Sequence, residues 1–197
     1  MLARTLRPLR KHGYPKAFGN SPTPRTETHM SESATMNTEI GFTFFIKAAN
    51  GKYLTVNNRN NNRLEASGND FPDSTQFVLQ TLPYNESFNQ FAFYALDKSA
   101  SAYISRINRG ADIDQVEASK QQIDQYCALT TGYDAANPNC PGPGWFFMQA
   151  DNRKYLSVYD ASGVVLAKAP DPSNASCFFF LVPLLLDAPI NVPLQTL

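Results

Sequence analysis

Phe44-Phe45-Ile46 alternates along an extended chain, so Phe44 and Ile46 share one face of a predicted strand and Phe45 takes the other. Asn50-Gly51 follows, two residues that tolerate positive φ, and predicts a type I′ hairpin turn. Tyr53 to Val56 then returns as a second strand. After a polar, Asn-rich gap, Leu64-Glu65-Ala66-Ser67 starts a third, and Phe77 with Leu79 marks a fourth.

The pattern recurs. Phe146 to Val158 repeats Phe44 to Val56 at an offset of 102, with Phe44, Phe45, Ala48, Asn50, Lys52, Tyr53, Leu54 and Val56 unchanged. A fainter copy lies between them, at Tyr103-Ile104-Ser105. The third strand has counterparts at Val116-Glu117-Ala118-Ser119 and Leu166-Ala167-Lys168-Ala169. In the fourth, Phe77 and Leu79 map onto Cys127 and Leu129, and onto Phe179 and Leu181. On this alignment the middle copy gains two residues in its turn (Asn108 to Gln115) and loses two further on.

Three units, each with one apolar face, bury that face only against one another. Propellers also use four-stranded units but typically need about four to eight of them. The predicted fold is therefore all-β, a β-trefoil of three four-stranded pseudo-repeats over residues 37–186. Residues 1–36 form an extension before it, and residues 187–197 an extended tail.

Composition refines this reading. The formal net charge of +0 hides an asymmetry, because residues 1–29 hold Arg4, Arg7, Arg10, Lys11, Lys16 and Arg25 against Glu27 alone. The remainder is acidic, which argues against nucleic acid as a partner, since phosphate neutralisation needs clustered cations. The Arg-rich start resembles an organelle-import sequence; the alternative is an extension with no folded role, with the functional start at Met30 or Met36 in a cytoplasmic protein. No membrane span is expected, because the longest apolar run, Cys177 to Leu186, is interrupted by Pro183 and is half of the roughly 20 residues a span needs. The apolar tail either packs on the body's own outside or supplies a homodimer contact.

The same inventory bears on chemistry. His12 and His29 are the only histidines, so residues 37–186 offer no imidazole to a nucleophile or a metal. The three cysteines have no C-x-x-C spacing; Cys127 and Cys177 fall in predicted closing strands and read as buried small hydrophobes, while Cys140 lies in a loop. Asp112, Asp114 and Glu117 sit on a hairpin turn rather than across a cleft. No catalytic role, metal or cofactor is expected.

Gly51-Lys52-Tyr53-Leu54, then Leu64-x-Ala66 and Phe77-x-Leu79, with Arg153-Lys154-Tyr155-Leu156, Val165-Leu166 and Phe179-x-Leu181, resembles the repeat of the fascin family of β-trefoils. The resemblance spans residues 42–183 and implies a non-catalytic module that recognises a macromolecular surface, actin filaments being that family's best-known ligand. A cationic patch for acidic actin would draw on Arg59, Asn61 and Arg63 in the first polar turn, Arg106 and Arg109 in the middle one, and Arg153-Lys154 in the third. The alternative is carbohydrate binding, for which Asn57 to Asn62, Asp112, Asp114, Tyr133, Tyr159 and Asp160 supply amides, carboxylates and aromatic rings. The Gln-x-Trp signature of ricin-type trefoils is absent, and Trp145, which precedes a core strand, reads as a barrel plug. A third reading is protease inhibition through the proline-rich connection Thr130 to Gly144.

Overall fold

The computed structural model describes residues 42–82, 89–97, 101–111, 113–159 and 161–184. The expectations for the 1–36 extension, the tail, Asp112 and Asp160 lie outside these residues.

Twelve strands are present among them: β1 (Thr43–Ala48), β2 (Tyr53–Asn57), β3 (Arg63–Gly68), β4 (Gln76–Thr81), β5 (Gln90–Leu96), β6 (Ala102–Asn108), β7 (Asp114–Lys120), β8 (Leu129–Gly132), β9 (Trp145–Gln149), β10 (Tyr155–Tyr159), β11 (Val164–Ala169) and β12 (Phe178–Leu184). Six of them close on themselves. β1 pairs with β12, β12 with β9, β9 with β8, β8 with β5, β5 with β4, and β4 with β1, all antiparallel. Closure removes the open strand edges that would otherwise invite pairing with other chains. The other six form the hairpins β2–β3, β6–β7 and β10–β11.

Strand alternation fills the ring. Phe44, Ile46 and Ala48 from β1, Phe93 and Ala95 from β5, and Met148 with Ala150 from β9 and its end share one cluster with Leu54, Ile104 and Leu156 from the hairpins. The hairpins meet in a cyclic triangle: Arg63 opposes Glu117, Gln115 opposes Leu166, and Val164 opposes Glu65. Each hairpin also carries the same bulge, after Tyr53, Tyr103 and Tyr155. The result is a trefoil-like all-β body.

Three sequence expectations shift by small steps. Leu54, Ile104 and Leu156 pair with Ala66, Ala118 and Ala167, so the third copy of this strand is aligned one residue earlier than predicted. Val165, not Leu166, then fills the core place of Leu64, and Leu166 stands where the other copies have Glu65 and Glu117. A one-residue slip exchanges the faces of a strand, so this is a change of role and not of detail. In the middle copy, Leu129 opposes Phe91 as Phe77 opposes Phe44, so Phe77 corresponds to Leu129 and nothing is lost from that copy. Cys127 and Cys177 instead end short 3₁₀ turns, capped by Asp124 and Asn174, and both are fully buried. Burial pushes the Cys127 thiol up to about 12.

The Asn50-Gly51 turn is also of another type. Gly51 has φ 84 while Asn50 is absent from the positive-φ residues, and the Gly51 N–H donates to the Ala48 carbonyl at 2.9 Å. This is a three-residue loop whose last residue is left-handed, not a type I′ turn. Asn50 acts instead through its side chain. Its Oδ1 accepts from the Lys52 N–H, and its amide donates to the Ala66 carbonyl. Asn152 repeats both bonds, to Lys154 and Ala167. The repeated asparagine thus staples each turn to the third strand of its own copy.

Candidate functional site

The connection from β3 to β4 folds tightly onto β2. Ser74 N–H donates to the Phe71 carbonyl, the Ser74 hydroxyl to the Asp70 carbonyl, and the Thr75 hydroxyl accepts from the Val56 N–H. Gly68 permits this approach, since a Cβ there would lie 2.5 Å from the Ser74 hydroxyl. The fold places Phe71 over the outer wall of the ring. Its ring stacks on Phe45 at 4.7 Å between centroids and 18° between planes, and meets Tyr53 edge-on at 5.3 Å. Phe45 is 3% exposed whereas Phe71 is 46% exposed, so a fixed aromatic base carries a ring open to solvent.

Beside that ring lies a hollow of about 540 Å³, lined by Asn58, Phe71, Asp73, Gln76 and Asp97 among others. The Asn58 amide donates to the Asp97 carboxylate at 3.1 Å, which sets the orientation of both. A second hollow of about 470 Å³ shares Thr55, Val56, Asn58 and Asp73 with it and adds Asn57, Arg59, Glu65 and Ser67. Together they form one flank of the first hairpin, rich in acceptors and carrying Arg59 as a cation with no ion pair among the described residues.

The third hairpin has a matching flank. A hollow of about 480 Å³ is lined by Ser157, Tyr159, Lys168, Asp171, Ser173 and Asn174 among others. Ser157 and Ser173 occupy the places of Thr55 and Phe71 in the first copy. Tyr159 is 47% exposed, and Lys168 Nζ lies 5.1 Å from the centre of its ring. The Asp171 carboxylate accepts from the Ser173 N–H at 2.9 Å, and the hydrogen bonds from Ser173 hold it below the usual carboxylate range.

At the second hairpin the equivalent place is taken by Tyr126, where the other copies have Ser74 and Ser176. Arg106 and Lys120 stand over its ring at 5.4 and 5.6 Å, and Lys120 pairs with Asp124 at 2.8 Å.

The seven sequence-derived surface candidates separate into two groups. Arg63 bonds Glu65 at 2.6 Å, and Arg109 grips the buried Glu117 with two bonds of 2.7 and 2.5 Å. Arg106 is 13% exposed and binds Asp151 twice at 2.6 Å and Asp114 at 2.8 Å. These three arginines close the hairpin triangle and its rim. Arg59 and Asn61 are exposed on one turn, and Arg153 and Lys154 on another. Asn61, Asn62 and Arg153 have positive φ, which explains the run of asparagines in the first turn.

Trp145 does not plug the ring. It lies on the outer face, half-buried, with its ring 5.6 Å from Phe180, because the inward places of β9 go to Phe146 and Met148. Phe71 and Lys168 escaped the sequence reading. Phe71 had a visible signal, a lone aromatic inside the polar turn Gly68 to Ser74. No group of three or more metal-ligating side chains occurs among the described residues, and none of their helices is long and apolar enough to cross a membrane.

No family model and no curated protein matches the sequence. Solved structures do. A designed three-fold symmetric protein, ThreeFoil, is similar at 14% identity and a TM-score of 0.55, over 72% of this chain and 99% of that one. A type II water-soluble Chl-binding protein is similar at 9% identity and 0.54, over 72% and 90%. A Polyporus squamosus lectin, solved with the saccharide Neu5Aca2-6Galb1-4GlcNAc bound, is similar at 6% identity and 0.54, over 74% of this chain and 50% of that one. None of these singles out the fascin family. What the chain shares with them is the fold, an all-β trefoil-like body.

Proposed function

We propose that this chain is a non-catalytic carbohydrate-binding module built from three four-stranded repeats, and that its first hairpin flank takes a neutral sugar residue. The observation that carries the reading is Phe71, an exposed ring fixed from behind by Phe45 and set beside Asp73, Gln76, Asn58 and Asp97. A sugar has a face of polarised C–H bonds and a rim of hydroxyls. The negative face of an aromatic ring accepts the first, and converging carboxylates and amides accept and donate to the second. Carboxylates repel anionic sugars, so the class is neutral. The similar lectin carries a saccharide, which supports carbohydrate binding as the class of function; that saccharide ends in an acidic sugar and does not bear on the neutral preference of this flank.

Actin recognition is the weaker reading. Arg63, Arg106 and Arg109 are engaged with Glu65, Asp114, Asp151 and Glu117, and the cations left exposed sit on separate turns. An array of neutral and acidic glycans probed with the full chain and with Phe71→Ala tests the proposal. Neutral glycans retained by the parent, and weakened at least tenfold by the substitution, are expected, equivalent to about 1.4 kcal/mol. Phe71→Trp keeps binding on this reading, and thermal melts of both variants check folding. Neutral-glycan binding indifferent to Phe71→Ala refutes the site.

A further inference from the structure

The two open flanks lie at equivalent places in the fold but differ in which element supplies the aromatic ring and in charge. The first has Asp73 and Asp97 along one hollow, and Asp73, Arg59 and the Arg63-bound Glu65 along the other. The third holds one carboxylate, Asp171, and one ammonium, Lys168. Asp171 is engaged by Ser173, whereas Lys168 has no ion pair among the described residues and rests its ammonium against the Tyr159 ring. An exposed aromatic ring with a cation over one face and no carboxylate partner for it suits a sugar that stacks on the other face and carries its own carboxylate.

From this contrast we infer a second, chemically distinct site at the third hairpin flank, which takes a carboxylate-bearing sugar such as a sialic acid or a hexuronate. The inference rests on the carbohydrate reading of the fold. In it, Tyr159 supplies the platform for the ring of the sugar, and Lys168 donates to the carboxylate in a charge-assisted hydrogen bond. Ser157 and Asn174 are placed to meet hydroxyls. The second flank does not add a third site, because Tyr126, held under Arg106 and Lys120, stands where its relatives have serine. The module is thus two-sited, neutral at one flank and acid-reading at the other.

The same array, carrying sialylated, hexuronate-bearing and neutral glycans, distinguishes the outcomes when probed with Lys168→Ala, Lys168→Arg and Phe71→Ala. Acidic-glycan binding is expected to fall at least tenfold in Lys168→Ala, to survive in Lys168→Arg and Phe71→Ala, and to weaken as salt is raised. Acidic glycans that bind equally well to Lys168→Ala overturn the inference. So does neutral binding that depends on Phe71 while no acidic glycan binds at all, and that result leaves the first site standing. Binding of no glycan of either class overturns both the inference and the function it rests on.

Discussion

Arg153 is a residue in the wrong conformation for its type, and removing its side chain should make the protein more stable. It occupies the turn position that Gly51 fills in the first copy, with φ 61 against 84, and both turns close the same way, Arg153 N–H to Ala150 and Gly51 N–H to Ala48 at 2.9 Å. A left-handed conformation costs an L-residue about 1–2 kcal/mol. Glycine escapes that strain but loses about 0.5–1 kcal/mol through its freedom in the unfolded chain. Arg153→Gly therefore gains about 0.5–1 kcal/mol, or about 1–4 °C in Tm for a body of this size. Nothing else is lost, because the Gln149 amide bonds the backbone carbonyl of residue 153 and the guanidinium forms no ion pair among the described residues. The mirror substitution, Gly51→Ala, costs about 1 kcal/mol from φ alone, since a Cβ there meets nothing within 4 Å. Urea unfolding with an unchanged m-value reads both. Arg153→Ala is the control, because it removes the charge and keeps the strained Cβ. If Arg153→Ala stabilises as much as Arg153→Gly, or if Arg153→Gly stabilises nothing, strain is not what the turn stores.

Two further outcomes follow from the ion pairs and the buried ionisable groups. Arg106→Ala leaves Asp114 and Asp151 without the cation that holds them, and with both partly exposed the expected loss is about 2–3 kcal/mol, measured by urea unfolding. Arg106→Lys recovers only part of this, since an ammonium cannot reproduce the fork to Asp151. At alkaline pH, burial and then the charge of Tyr94 raise Tyr103 to about 12, and burial raises Cys127 to about 12. Both folded values lie above the unfolded ones, so their stabilisation is complete below about pH 8 and declines as pH rises toward 12. Tm measured between pH 8 and 11 should fall, and fall less steeply in Tyr103→Phe; equal slopes in parent and variant refute the assignment.

Much of the architecture was legible because β1–β2 and β9–β10 are near copies and their inward residues alternate cleanly. The two misplaced alignments arose where alternation fails. Val164-Val165-Leu166-Ala167 is apolar throughout and entirely buried, so no period of two fixes which residue faces in. Only the pairing of Ala167 with Leu156, across a shorter turn, decides it. Cys127 and Leu129 are two apart and both apolar, and the 3₁₀ turn capped by Asp124 is what separates them. The candidate site was less legible for a different reason. Phe71 becomes a platform only through Phe45, which is distant in sequence and on the strand face that the core does not use. Arg106 and Arg109 read as free cations because their partners Asp114 and Glu117 come from the neighbouring strand, and Asp151 from the next copy, while Arg63 meets Glu65 two residues along its own strand.

The six-residue seam between β1 and β12 has a mechanical consequence. Thr43 opposes Leu184 at one end and Ala48 opposes Phe179 at the other, so the two strands that close the ring carry their outer ends side by side. Tension drawn through residues 43 and 184 pulls across the strands, and it loads one opposed pair at a time instead of shearing all six together. Single-molecule pulling through these points should meet a low unfolding force, whereas pulling along the strands, from Ala48 against Leu184, should meet a higher one. A body without open sheet edges at its ring can still be opened like a zip, from the place where its chain enters and leaves.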